Sequence, residues 1–190
     1  KYRSDNYTPN NSLIIVSGGI DKDLVFEKIK SFFSEMEKNN NNNKFEFSDS
    51  QSEPRAKIFD KKIDQSHFVI SVKAFDMFDE RRYALGMLST ILGEKTSSRL
   101  FMEIRQKLCL AYYVRSTTWL MSKAGALIMR AGVSHDNLEK ATKKIIEIIN
   151  DIKRNGVTKK EFEETKSHIR GQTALGLETS DQVADFFGEQ

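Results

Sequence analysis

The segments LAYYVRSTTWLM and GALIMRAGV alternate apolar and polar residues and are separated only by residues 122–124. So short a connection joins neighbouring strands that run in opposite directions. AKIFDKK and SHFVISVKAF alternate in the same way upstream, the second with Phe68, Ile70 and Val72 on one face. After each strand pair the period changes. In DERRYALGMLSTILG the apolar residues Tyr83, Ala84, Met87, Leu88, Ile91 and Leu92 recur at helical spacing, and Gly93 supplies a stop. A second helix over about 97–107 buries Leu100, Phe101 and Ile104. In NLEKATKKIIEIINDIKRNG, Leu138, Ala141, Ile145, Ile148, Ile149 and Ile152 form one stripe that ends at Gly156. Thr158 and Glu161 then make a capping box for a further helix running past Arg170. The order strand, strand, helix, helix, given twice, predicts an α+β fold: a layered domain with a largely antiparallel sheet covered on one face by helices. A doubly wound sheet would need strict alternation.

The N-terminal piece reads differently. SLIIVSGGI has the character of a buried strand closed by Gly18 and Gly19, and Asp21 can cap a helix carrying Leu24, Val25, Ile29, Phe32, Phe33 and Met36 on one face. One strand and one helix are too little to fold alone. Residues 1–37 are therefore expected to be the closing strand and helix of a preceding domain, 38–55 an asparagine-rich linker, and 56–190 the main domain. The chain opens without methionine and stops at ADFFGEQ on a helical pattern, so the main domain is expected to be truncated and the parent protein longer.

Charge and cysteine content narrow the chemistry. The 30 basic and 27 acidic residues leave a formal charge of +3 and are interspersed, which argues against a nucleic-acid footprint. No apolar run approaches the ~18 residues of a membrane span. The single cysteine, Cys109, has no partner for a disulfide or a Cys-type zinc site. Its neighbours Leu108 and Leu110 predict a buried, inert thiol, and a reducing compartment is compatible with it. His67, His135 and His168 lie far apart and in no pair three or four residues apart, so each is read as solvated or hydrogen-bonded rather than as a ligand. Dinucleotide, phosphate-loop and G-x-S-x-G patterns are absent.

One spacing is left over. In SSRLFMEIRQKLCLAYYVRSTTW, Arg105 closes a helical pattern and Tyr112 opens an alternating one seven residues later. Taken with YALGMLSTILGEKTSSRLF, GALIMRAGV and IKRNGVTKKEFEETKSHIRG, this stretch resembles the M16 family of zinc metallopeptidases, the insulinase, pitrilysin and mitochondrial processing peptidase group. The resemblance implies homologous α+β domains arranged as two halves around a peptide chamber. One domain of such a pair carries an inverted zinc motif, His-x-x-Glu-His, which this sequence lacks. The chain is thus similar to the non-catalytic, substrate-binding half of a zinc endopeptidase that processes or degrades peptides. Zinc is implied for the parent and not for this chain, which by itself is expected to be inactive. The implied partners are a peptide substrate and a catalytic M16 domain, in the same chain or another.

The resemblance also gives Arg105 and Tyr112 a role in catalysis. An arginine and a tyrosine at this spacing hydrogen-bond the substrate near the scissile peptide in active relatives. A phenol and a guanidinium suit the negative charge that grows on an attacked carbonyl oxygen, and such a donor is worth roughly 3 kcal/mol in a water-poor site. Without the resemblance, Arg105 reads as a helix-end residue and Tyr112 as strand-edge packing. Two departures stand out: Cys109 replaces a usual glycine, so a different backbone geometry is expected there, and the loop GEKTSS is poor in glycine. A second reading within the same fold is a non-peptidase structural or partner subunit of a larger complex. An interaction module that binds extended peptides at its sheet edge is the third.

Overall fold

The computed structural model describes residues 2–36, 52, 53, 57 and 62–188. In chain order its elements are α1 (Tyr2–Asn6), α2 (Lys22–Phe33), β1 (Ser66–Ala74), α3 (Arg82–Ser89), β2 (Ala111–Leu120), β3 (Gly125–Val133), α4 (Leu138–Asn155), α5 (Lys159–Leu175) and α6 (Ser180–Gly188). Two π-helical segments, Thr90–Glu94 and Phe101–Lys107, lie between α3 and β2. The chain divides into two compact units. One holds the described residues of Lys1–Glu46 and Ile169–Gln190, the other those of Phe47–His168. AKIFDKK and the linker over 38–55 fall almost wholly outside the described residues.

In the second unit the hairpin forms as its short connection requires, and the sheet has the order β1-β3-β2 with both pairings antiparallel. The inward positions Val114, Leu127, Met129, Ala131 and Val133 are buried, and Phe68 and Ile70 pack against them. From the helices come Leu85, Leu92, Leu100, Ile104, Ala141, Ile145 and Ile148, so one apolar layer fills the space between sheet and helices. Burying each leucine or isoleucine side chain contributes roughly 1.5–3 kcal/mol. The fold class is therefore α+β with a helix-covered antiparallel sheet.

Local signals account for three of the helix ends. The Asp21 carboxylate accepts from the backbone N–H groups of Asp23 and Leu24 and caps α2. Gly156 ends α4 at φ 71, a conformation that glycine adopts at little cost. The capping box before α5 is reciprocal: Glu161 N–H donates to Thr158 Oγ1 at 3.2 Å, and Thr158 N–H donates to Glu161 Oε2 at 2.8 Å.

Three local expectations change. Residues 12–17 join no strand ladder, and Leu13, Ile14 and Val16 are exposed, because no described strand lies alongside to take up their backbone groups. In α3 the apolar stripe is rotated: Tyr83 and Ala84 are exposed while Leu85 is buried. The following turn is π-helical, and Ile91 and Leu92 within it are buried as their spacing predicts. Gly93 is not a stop. It lies buried inside that π segment, and a Cβ there would sit 2.4 Å from the backbone nitrogen of Ser116. Its role is to let helix and strand β2 touch.

Arg99 binds the helical layer together. Its Nε and Nη2 donate to the two carboxylate oxygens of Glu161 at 2.6 and 2.9 Å, Nη1 donates to Asp151 at 2.8 Å, and Nη2 also reaches the carbonyl of Gly156. This planar fork holds the Glu161 carboxyl down at about 2, against an ordinary 4.5, with the Thr158 backbone N–H and hydroxyl assisting. A depressed carboxylate contributes stability that is complete above its unfolded value and is lost as pH falls through the folded one. The melting temperature should therefore drop as pH is lowered from about 4.5 toward 2. In Glu161→Gln, melting curves over this range should show a shallower dependence. An unchanged slope would mean that Arg99 gains nothing from the charge.

Candidate functional site

The corner between the Phe101–Lys107 segment and β2 is built by three local devices. Leu108 N–H donates to the Glu103 carbonyl at 3.0 Å and Leu110 N–H to the Ile104 carbonyl at 2.9 Å, closing the wide last turn. Cys109 between them has φ 50, the left-handed region that favours glycine. The backbone thus takes a glycine conformation on a cysteine, and the geometry expected to change there is of the kind glycine supports. The third device is a β-bulge. Ala111 faces Val133 and Tyr113 faces Gly132, so Tyr112 is the extra residue, opposite no partner of its own.

These devices present both residues of the Arg105/Tyr112 pair to solvent. Tyr112 is 57% exposed, and no hydrogen bond engages its hydroxyl among the described residues. Arg105 is exposed and makes no ion pair with a described residue. Its guanidinium carbon lies 5.0 Å from the centre of the Phe101 ring one turn earlier, which restrains the fork without consuming its donors. The two lie on either side of one fixed corner, with donor groups free. No hydrogen bond joins the two side chains. Leu110, at the same corner, is buried in the core and anchors it.

Cys109 is exposed, contrary to the buried thiol its apolar neighbours predicted. In a left-handed residue after a helix the side chain leaves the core side, and Sγ makes only a long contact of 3.6 Å to the Gln106 carbonyl. Since a left-handed non-glycine residue costs about 1–2 kcal/mol and glycine's entropy returns part of that, Cys109→Gly should stabilise by about 0.5–1 kcal/mol. Urea unfolding of the two proteins measures it. A loss of stability would show that the thiol contact matters more than the backbone.

The rest of the site chemistry is spare. Among the described residues no three His, Cys, Asp or Glu side chains converge to hold a metal ion. His67 Nδ1 is 3.1 Å from the Tyr113 hydroxyl, while His135 bonds Ser66 Oγ through Nδ1 and the Ile63 carbonyl through Nε2. Zinc chemistry does not fit this set of side chains. No helix among the described residues is long and apolar enough to cross a membrane. Arg99, for which local pattern gave no role, is the structural reason for the Ser-Ser-Arg-Leu-Phe run: its partners lie 52 and 62 residues away, beyond any short-range signal.

Comparison with known proteins agrees with this architecture. The chain is 30% identical over 180 residues to a protein of Bacillus subtilis named "Uncharacterized zinc protease YmxG", covering 95% of this chain and 43% of that protein. It is 25% identical over 178 residues to "Probable inactive metalloprotease YmfF" of the same organism, covering 93% and 41%. The chain thus spans less than half the length of these relatives. Among solved structures, a protease from Helicobacter pylori superposes with a TM-score of 0.82 at 22% identity, covering 98% of this chain and 46% of that one. A peptidase M16 inactive domain from Pseudomonas fluorescens gives 0.60 at 22%, covering 65% and 30%. The family model described as "Peptidase M16 inactive domain" matches residues 1–169. A helix-covered antiparallel sheet, matched by that model over residues 1–169, makes this chain a member of the Peptidase M16 inactive domain family.

Proposed function

We propose that this chain is the substrate-facing, non-zinc half of an M16-type peptidase, with Arg105 and Tyr112 as donors to the peptide bond under attack. The observation that carries the reading is the bulge. It singles out Tyr112, whose exposed hydroxyl has no hydrogen-bond partner among the described residues, at the same corner whose helical side carries Arg105, restrained by the Phe101 ring and in no ion pair with a described residue. Bulges re-aim side chains in this way next to active sites. In this reading the hydrolytic centre, and any zinc, belong to a catalytic domain elsewhere in the parent or in a partner chain. This chain contributes binding and charge stabilisation.

Residues 1–37 are proposed to complete a neighbouring domain. In support, α2 buries none of its residues and leaves Leu24, Phe26 and Phe32 exposed. A second reading, a non-peptidase partner subunit of the same fold, is favoured by the similarity to a relative named as an inactive metalloprotease. Peptide hydrolysis by the full-length protein, assayed for wild type and Tyr112→Phe, separates the two. Turnover that falls sharply in the variant supports the first reading. No hydrolysis by the wild type with any catalytic partner supports the second.

A further inference from the structure

The face of the sheet turned away from the helices has an unusual charge pattern. Strands β1, β2 and β3 contain no aspartate or glutamate, and their three charged residues, Lys73, Arg115 and Arg130, all occupy outward positions. Arg115 and Arg130 are direct cross-strand partners. Directly opposed residues have Cβ atoms about 5 Å apart, where like charges destabilise the pair. Both are exposed, and neither side chain makes an ion pair or hydrogen bond among the described residues. Elsewhere on the second unit cations find carboxylates readily: Arg81 with Asp79, Arg99 with Glu161, Lys144 with Glu147. What sets the opposed arginines apart is that the strand register holds two like charges directly against each other.

Apolar surface borders the pair. Trp119 is 58% exposed and faces Ala126, the residue that Lys73 faces from the other side. At the opposite end the Tyr113 ring stacks on His67 with centroids 5.8 Å apart and closes over Gly132, where a Cβ would lie 2.5 Å from the ring. The face is therefore a shallow strip, aromatic at both ends and doubly cationic in the middle. Along β2, Arg115 stands three residues from Tyr112, roughly 10 Å in an extended strand.

We propose that this open sheet face docks an acidic, extended polypeptide segment, whose carboxylates pair with Arg115 and Arg130 and whose apolar side chains pack on Trp119. Charge complementarity selects the occupant. Two guanidiniums without partners among the described residues offer paired forks that match carboxylates, and a bound acid relieves the repulsion between them. The aromatic ends accept side chains, which a bare inorganic anion lacks. The inference deepens the peptide-facing reading above and rests on it, by giving that half a preference for acidic peptides.

Trp119 is the chain's only tryptophan, so its fluorescence reports binding at this face. The whole chain is titrated with an eight-residue peptide carrying two adjacent glutamates, with the same peptide bearing glutamines, and with single-stranded DNA of matched charge. The glutamate peptide should bind about tenfold or more tighter than the glutamine peptide, and the gap should shrink as salt rises from ~0.05 to ~0.5 M. Arg115→Gln with Arg130→Gln should abolish the preference and melt no lower than wild type, since opposed like charges are removed. Equal binding of the two peptides to wild type overturns the proposal, whatever the variants do. So does a retained preference in the double variant, or tighter binding of the DNA. The preference is read by binding to this chain and the turnover reading by hydrolysis in the full-length protein, so failure here and failure of that reading are separate results.

Discussion

Tyr112→Phe in the full-length protein, supplied with its catalytic half, is expected to lower kcat and kcat/KM together by roughly 100-fold, the usual loss for one donor to a developing oxyanion. The exposed phenol hydroxyl has no hydrogen-bond partner among the described residues, so its removal should cost the resting protein little. Substrate binding is also expected to hold, because the bond strengthens only as charge accumulates on the oxygen. Phenylalanine keeps the ring at the bulge, so the melting temperature should stay within a degree or so. Arg105→Lys tests the other donor. An ammonium cannot reproduce a planar fork, and turnover should fall again with little change in stability, since Arg105 ties down no other element. Steady-state kinetics and melting curves on both variants decide the matter. Full activity in Tyr112→Phe would return Tyr112 to strand-edge packing, and a large loss of stability with normal turnover would do the same.

The pair was proposed from the family resemblance, and why its local setting was not legible follows from the range of each signal. Asp21, Gly156 and the Thr158/Glu161 box act within one helical turn, and each was legible from four or five residues. The strand alternation and the stripe on α4 are also local. The bulge at Tyr112 is not, because it exists only in the register between β2 and β3. The same register alone sets Arg115 against Arg130, fifteen residues apart in the chain. Cys109 misled for a related reason: its neighbours are apolar, but side-chain direction at a left-handed residue follows from backbone conformation and not from neighbouring hydrophobicity. From α3 through the two π-helical segments the miss in the apolar pattern is confined to α3, where Tyr83 and Ala84 are exposed and Leu85 is buried, while Ile91, Leu92, Leu100 and Ile104 are buried where their spacing put them.

Gly93 gives the largest expected effect on stability, and Gly86 supplies its control. Read as sequence, both are glycines seven residues apart in one helical stretch, and substituting alanine should help either by reducing unfolded-chain entropy. Packing separates them. At Gly86 an added Cβ meets nothing within 4 Å, so Gly86→Ala should stabilise by about 0.5–1 kcal/mol. At Gly93 it would lie 2.4 Å from Ser116 N and 2.8 Å from Ser116 Cβ. Those atoms belong to β2, whose backbone is held in the ladder to β3, so they cannot yield without losing strand bonds. The same approach carries the contact of the Ser89 and Ser116 hydroxyls at 2.8 Å and the bond from Ser116 Oγ to the Ser89 carbonyl at 3.0 Å, and both are buried. Separating helix and strand would stretch these too, adding unsatisfied polar groups to the steric cost. Gly93→Ala should therefore destabilise by about 3 kcal/mol or more, a fall of roughly 6–12 °C in Tm for a chain of this size. Opposite signs for the two alanines in thermal melts would establish that Gly93 is kept for close approach. A neutral or stabilising Gly93→Ala would mean that helix and strand do not meet there.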